Sequence, residues 1–135
     1  MAPSSEQVVI DLCDHLQSIY TIDKRRVLLT GYSMGGIGTW MLAAHHQERF
    51  AAALIVSAKP PTGVDNVQWD IPLYVIHSRR DEIFPLGDTE STVSQLREMG
   101  VAIELHIVDG VTHFQTERFV EPIHAAIPWV QDSWR

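Results

Sequence analysis

Val27-Leu28-Leu29-Thr30-Gly31-Tyr32-Ser33-Met34-Gly35-Gly36 is the stretch that decides the fold. A short, continuously apolar run from Val27 to Thr30 meets a glycine, as expected for a strand buried on both faces of a sheet. Gly31 to Gly35 have the form G-x-S-x-G, in which a serine rides a sharp turn between strand and helix. Glycines stand on either side of Ser33, where side chains are expected to collide in so tight a turn. Ile37 to Gln47 then read as a helix that opens with small residues and carries Trp40, Met41 and Leu42. The pentapeptide alone is weak evidence. With Gly and Ser each about 7% of residues, roughly one chain in twenty of this length carries it by chance.

The surroundings carry the argument. Pro3 to Ser5 read as a helix start, where Ser4 and Gln7 form a capping box. Val8, Val9, Leu12, Cys13, Leu16 and Ile19 follow at helical spacing and predict one apolar, core-facing side. Ala52 to Val56 and Ile71 to Ile76 are two further apolar strands. The loop between them, with Lys59-Pro60-Pro61-Thr62-Gly63, is too short for a lid domain. Asp88 to Met99 predict a helix with Asp88 as N-cap and Gly100 as stop signal. In Ala102 to Val108 the pattern changes: Ile103, Leu105 and Ile107 point one way, Glu104 and His106 the other. Such alternation belongs to a half-exposed edge strand. Glu121 to Trp134 finish as one amphipathic helix, with Pro122 tolerable in its first turn. Strands alternating with helices predict an α/β protein, about four parallel strands flanked by helices.

Composition narrows the function. The 135 residues suit one domain, 1–135, with a real core. The net charge of −7 argues against nucleic acid and against anionic lipid surfaces. No apolar run approaches the roughly 20 residues of a membrane span. The lone Cys13 excludes an intrachain disulfide and a cysteine-built zinc site, and it reads as a small core residue. The start of the sequence shows no signal-peptide pattern, so a cytoplasmic location is expected.

Open parallel sheets gather their functional groups at the carboxyl ends of the strands. Ser33, Asp81 and His113 follow the first, third and fourth strands, in the chain order of an α/β-hydrolase triad. A serine hydroxyl is a poor nucleophile until a base accepts its proton. An imidazole such as that of His113 can take the proton and return it to a leaving group. A buried carboxylate on Asp81 would fix the tautomer of that imidazole. The backbone N–H of Met34, at a helix start, can point at a developing oxyanion.

Each choice displaces a blander one. Glu82, Asp88 and Asp109 compete with Asp81, which is preferred for its loop and its spacing to Pro85; Glu82 reads as a solvated neighbour and Asp109 as a turn former. Of seven histidines, only His113 lies in the loop that a base requires, while His77 reads as a packing or hydrogen-bonding residue. His45-His46 and the Glu121/His124 pair do not amount to a metal site, and no cofactor is implied. Tyr32, Trp69 and Phe114 are candidate walls of a substrate pocket from their loop positions.

The stretch from Val27 to Gly36 resembles the elbow of the dienelactone-hydrolase and carboxylesterase branch of the α/β-hydrolases. Gly38-Thr39-Trp40, Glu48 to Ala53, Ile71 to His77 with Asp81 and Pro85, and Gly110-Val111-Thr112-His113 are similar to the same branch. Ser78 departs from it, standing where such proteins usually carry glycine. The resemblance covers the second half of the usual domain and implies that 1–135 is a truncated, minimal α/β-hydrolase fold. It implies a serine hydrolase of small carboxylic esters acting through an acyl-enzyme; thioesterase, peptidase and perhydrolase chemistry use the same three residues. It also implies that the loop supplying the second oxyanion donor is missing, a loss that typically lowers turnover about 10²- to 10³-fold. A catalytically idle binding or assembly module is the competing reading. The elbow strand, central in such proteins, becomes a sheet edge here, so a homodimer is expected to cover it.

Overall fold

A computed structural model describes residues 4–134. Its centre is a parallel sheet of four strands in the order β1-β2-β3-β4: β1 (Leu28–Tyr32), β2 (Ala52–Val56), β3 (Leu73–Ser78) and β4 (Ile103–Val108). Leu28 pairs with Ala52, Ala53 with Leu73, and Leu73 with Ile103. β2 is buried along its whole length, as its uniform apolar sequence requires. β4 is one edge of the sheet, with Ile103 buried and Glu104 exposed, in keeping with its alternation. β1 is the other edge and is only half-buried, because nothing pairs with its outer side among the described residues.

One face of the sheet is covered by α1 (Ser5–Ile19), α2 (Met34–His45) and α3 (Leu86–Glu98). Trp40 and Ala43 of α2 and Val93 and Leu96 of α3 pack on Ala53, Ile55, Leu73 and Val75. The other face, Leu54, Val56 and Ile76, is covered by Val111, Phe119 and Ala126 and by the short helices α4 (Val120–Ala125) and α5 (Ile127–Asp132).

Several expectations need correction. The Ser4 hydroxyl does accept from the Gln7 N–H (3.2 Å), but the predicted helix start at Pro3 lies outside the described residues. Most of the predicted apolar face of α1 is not in the core; of its residues Val9, half-buried, packs against the core cluster. Val8, Leu12 and Ile19 are 52%, 54% and 56% exposed, and the residue α1 buries is Ile10, against Leu42 and Phe50. Periodicity finds a face but not what lies opposite it. α3 begins at Leu86 after Pro85, so Asp88 sits in the first turn and is not the cap. β3 starts at Leu73 because Pro72, lacking an N–H, cannot donate to a ladder. The expected C-terminal helix is broken at Ala126. Pro128 has no N–H to give the His124 carbonyl and its ring crowds that turn.

An apolar groove of about 640 Å³ runs between α1, β1 and α2, lined by Val9, Leu29, Met34, Met41 and Leu42 among others. No helix among the described residues is long and apolar enough to cross a membrane.

Candidate active site

Ser33 sits between β1 and α2 at φ 57°, ψ −117°, a left-handed backbone that a non-glycine residue rarely adopts. Its N–H donates to the Val56 carbonyl (2.9 Å), which anchors the turn on the end of β2. The turn is possible because two glycines let backbones touch. A Cβ on Gly31 would lie 2.1 Å from the Gly35 carbonyl oxygen, and one on Gly36 would lie 2.5 Å from the Ala58 Cβ. Gly35, expected to be crowded at its own Cβ position, has open space there; it contributes the carbonyl that Gly31 must clear. Ser57, at the end of β2, is a second residue of positive φ (52°) beside this turn.

The structure brings together the three residues that the sequence singled out. Ser33 Oγ lies 2.8 Å from His113 Nε2, and His113 Nδ1 lies 2.8 Å from Asp81 Oδ2. A carboxylate only accepts, so the proton of the neutral imidazole is on Nδ1 and Nε2 faces the serine hydroxyl as an acceptor. Asp81 is buried and His113 is 2% exposed, so this line of hydrogen bonds is largely shielded from water, where such interactions strengthen. The other Asp81 oxygen, Oδ1, accepts from the N–H groups of Ile83 (2.9 Å) and Phe84 (2.7 Å). These bonds fix the carboxylate plane. Among the competing acids, Asp109 pairs with Arg79 (2.6 Å) and Asp88 lies in α3.

Other expectations fare differently. The Trp69 indole donates to the Val64 carbonyl (2.9 Å) and its ring meets Trp40 edge-on at 6.0 Å. It lies in the loop entering the amino end of β3, opposite to the end that carries Ser33, so it walls no pocket at that site. Tyr32 is at the site, but its hydroxyl donates to the His113 carbonyl, and its ring lies 5.4 Å from the imidazole. Burial, and then the charges of Asp81 and Glu82, hold its phenol above the ordinary value. It therefore stays a donor at neutral pH. Phe114 is 69% exposed with its ring 5.0 Å from His113, which leaves it free to meet a ligand. Met34 opens α2, so its N–H is one of the helix's unpaired amino-terminal donors.

Sequence reasoning missed Phe84 and the contact made by Glu82, whereas His77 has the packing and hydrogen-bonding role read for it. Phe84 sets its ring edge-on to His113 at 5.6 Å. Glu82, read as a solvated neighbour, accepts from the His113 N–H (3.0 Å). His77 is fully buried; its Nε2 donates to the Phe84 carbonyl (2.7 Å) and its Nδ1 accepts from Thr89 Oγ1 (3.2 Å). It therefore staples the acid loop to α3. The signal for His77 was a polar residue inside an apolar strand. No grouping of three or more metal-ligating side chains occurs among the described residues.

Known proteins carry the same arrangement of elements. A thermostable esterase superposes with a TM-score of 0.80 at 27% identity, over 93% of this chain and 36% of that one. An S-formylglutathione hydrolase of Staphylococcus aureus gives 0.75 at 19% identity, over 94% and 60%. A bifunctional acetylxylan esterase/xylanase of Neocallimastix patriciarum is 27% identical over 92 residues, 68% of this chain and 14% of that enzyme. The chain thus spans a fraction of each relative's length. Residues 1–127 match the dienelactone hydrolase family, and with the four-stranded parallel sheet and the elbow at Ser33 this makes the chain a member of that family, with an α/β-hydrolase fold.

Proposed function

We propose that the chain is a serine hydrolase that cleaves small carboxylic esters through an acyl-enzyme on Ser33. The observation that carries the reading is the unbroken line from Ser33 Oγ to His113 to Asp81, 2.8 Å at each step. The Oγ attacks the ester carbonyl while its proton passes to His113 Nε2, and the carbonyl oxygen takes the negative charge. Asp81, accepting from Nδ1–H, stabilises the imidazolium and holds its tautomer. The Met34 N–H is one donor to the oxyanion. As the tetrahedral adduct collapses, His113 returns its proton to the departing alcohol. Water then attacks the acyl-enzyme by the same path in reverse roles, releasing the acid and free Ser33. The short loop after β2 and the exposed Phe114 leave the site open, which favours small, soluble esters.

Hydrolysis of p-nitrophenyl acetate by wild type and Ser33→Ala tests the reading. Loss of the enzymatic rate in the variant is expected, whereas equal rates would sink it. Labelling of wild type by a fluorophosphonate separates this reading from that of an idle binding module, because only an activated serine reacts.

A homodimer belongs to the same proposal. Among the described residues the outer side of β1 has no strand partner and lies beside an apolar groove, and a second copy of β1 paired antiparallel about a two-fold axis satisfies both. Light scattering at micromolar concentration should return twice the monomer mass; a stable monomer excludes the dimer.

A further inference from the structure

The main chain of the histidine loop is held by side chains from two other segments of the site. Ser78, fully buried at the end of β3, donates its hydroxyl to the Val111 carbonyl and accepts from the Arg80 N–H (3.1 Å). Glu82 accepts from the His113 N–H (3.0 Å). Tyr32, the residue before the serine, donates to the His113 carbonyl. These bonds account for both main-chain polar groups of His113 and for the carbonyl two residues earlier. Two of the three side chains flank Asp81 in sequence. The segment that presents the carboxylate to His113 Nδ1 therefore also grips the backbone of the residue receiving it.

We propose that Ser78 and Glu82 are positioning residues, which with Tyr32 lock the acid loop and the histidine loop into one unit and so set the reach of His113 Nε2 to Ser33. Ser78 is fully buried and Glu82 is engaged by the His113 N–H, so each acts through the histidine loop. The proposal rests on the serine-hydrolase reading for its consequence in rate. A glycine at position 78 would leave the Val111 carbonyl without this donor, and an alanine at position 82 would leave the His113 N–H without its acceptor. A freed loop lets the imidazole drift, and misplacement of a catalytic group by about 1 Å can cost on the order of 10²-fold.

The test compares Ser78→Ala, Glu82→Ala and Glu82→Gln with wild type, through kcat and KM for p-nitrophenyl acetate and through hydrogen exchange of the His113 amide followed by NMR. Ser78→Ala and Glu82→Ala should each lower kcat about ten-fold or more with KM little changed. Glu82→Gln keeps an acceptor oxygen and should restore both the rate and the slow amide exchange. The double variant Ser78→Ala/Glu82→Ala should lose less than the product of the single losses, as expected when two residues serve one purpose. Wild-type kcat in both alanine variants overturns the proposal, as does a Glu82→Gln variant as impaired as Glu82→Ala. Glu82 is at the surface, so its variants decide the matter even if Ser78→Ala does not fold. If wild type itself is inactive and unlabelled, the hydrolase reading fails, and the His113 exchange rates alone decide whether Glu82 holds the loop.

Discussion

At the scale of single residues, the elbow works by excluding atoms. Gly31 is irreplaceable because any side chain would start inside the Gly35 carbonyl, whereas Gly35 faces open space. Gly31→Ala is therefore expected to destabilise the fold by about 3 kcal/mol or more through overpacking against backbone. Gly35→Ala, in the first turn of α2, should be neutral or stabilise by about 0.5–1 kcal/mol. Urea denaturation of the two variants distinguishes them. Tyr32 gives a test by pH. Its phenol is held above the ordinary value by burial and by the charges of Asp81 and Glu82. A value raised in the folded state means that its contribution is fully present below about pH 10 and fades as pH rises through the raised value. Phenolate absorbance should show Tyr32 ionising later than in the unfolded chain, and Tyr32→Phe should remove one late-titrating group. The hydrogen-bonded line of Ser33, His113 and Asp81 was legible because the proposed chemistry dictates those residue types and that chain order. Ser78 and Glu82 were not legible: a hydroxyl donor at position 78 and a carbonyl at position 111 give no local sign of meeting.

At the scale of elements, legibility followed how much of each element's environment is local. β2 declared itself through a uniformly apolar sequence that is buried throughout, and β4 through an alternating one that sets buried Ile103 beside exposed Glu104. The failures were of another kind. α1 shows amphipathic spacing, yet its regular stripe of Val8, Leu12, Leu16 and Ile19 lies outward and the helix is held through Ile10. Ile10→Ala should therefore cost about 2–3 kcal/mol and loosen α1 selectively, seen as faster amide exchange along residues 5–19 than in α3. Trp69 was misread for a related reason, since a loop position does not say which end of the sheet the loop serves. Pro128 was a visible breaker, and it divides the C-terminal segment into α4 and α5.

At the scale of the molecule, the strand order equals the chain order, so the sheet can grow outward from β1 one neighbour at a time. Consecutive pairing keeps each strand's partner one crossover away, although the parallel ladders still join residues 20 to 30 positions apart, as in Ala53 with Leu73 and Leu73 with Ile103. Ser33 leaves the first strand, whereas His113 leaves the last. A chain whose first three strands are in place holds a finished elbow and a carboxylate, but no imidazole beside the hydroxyl. On the proposed mechanism reactivity carries a record of assembly: Ser33 would gain its base only when the strand that leads to His113 has joined the other three.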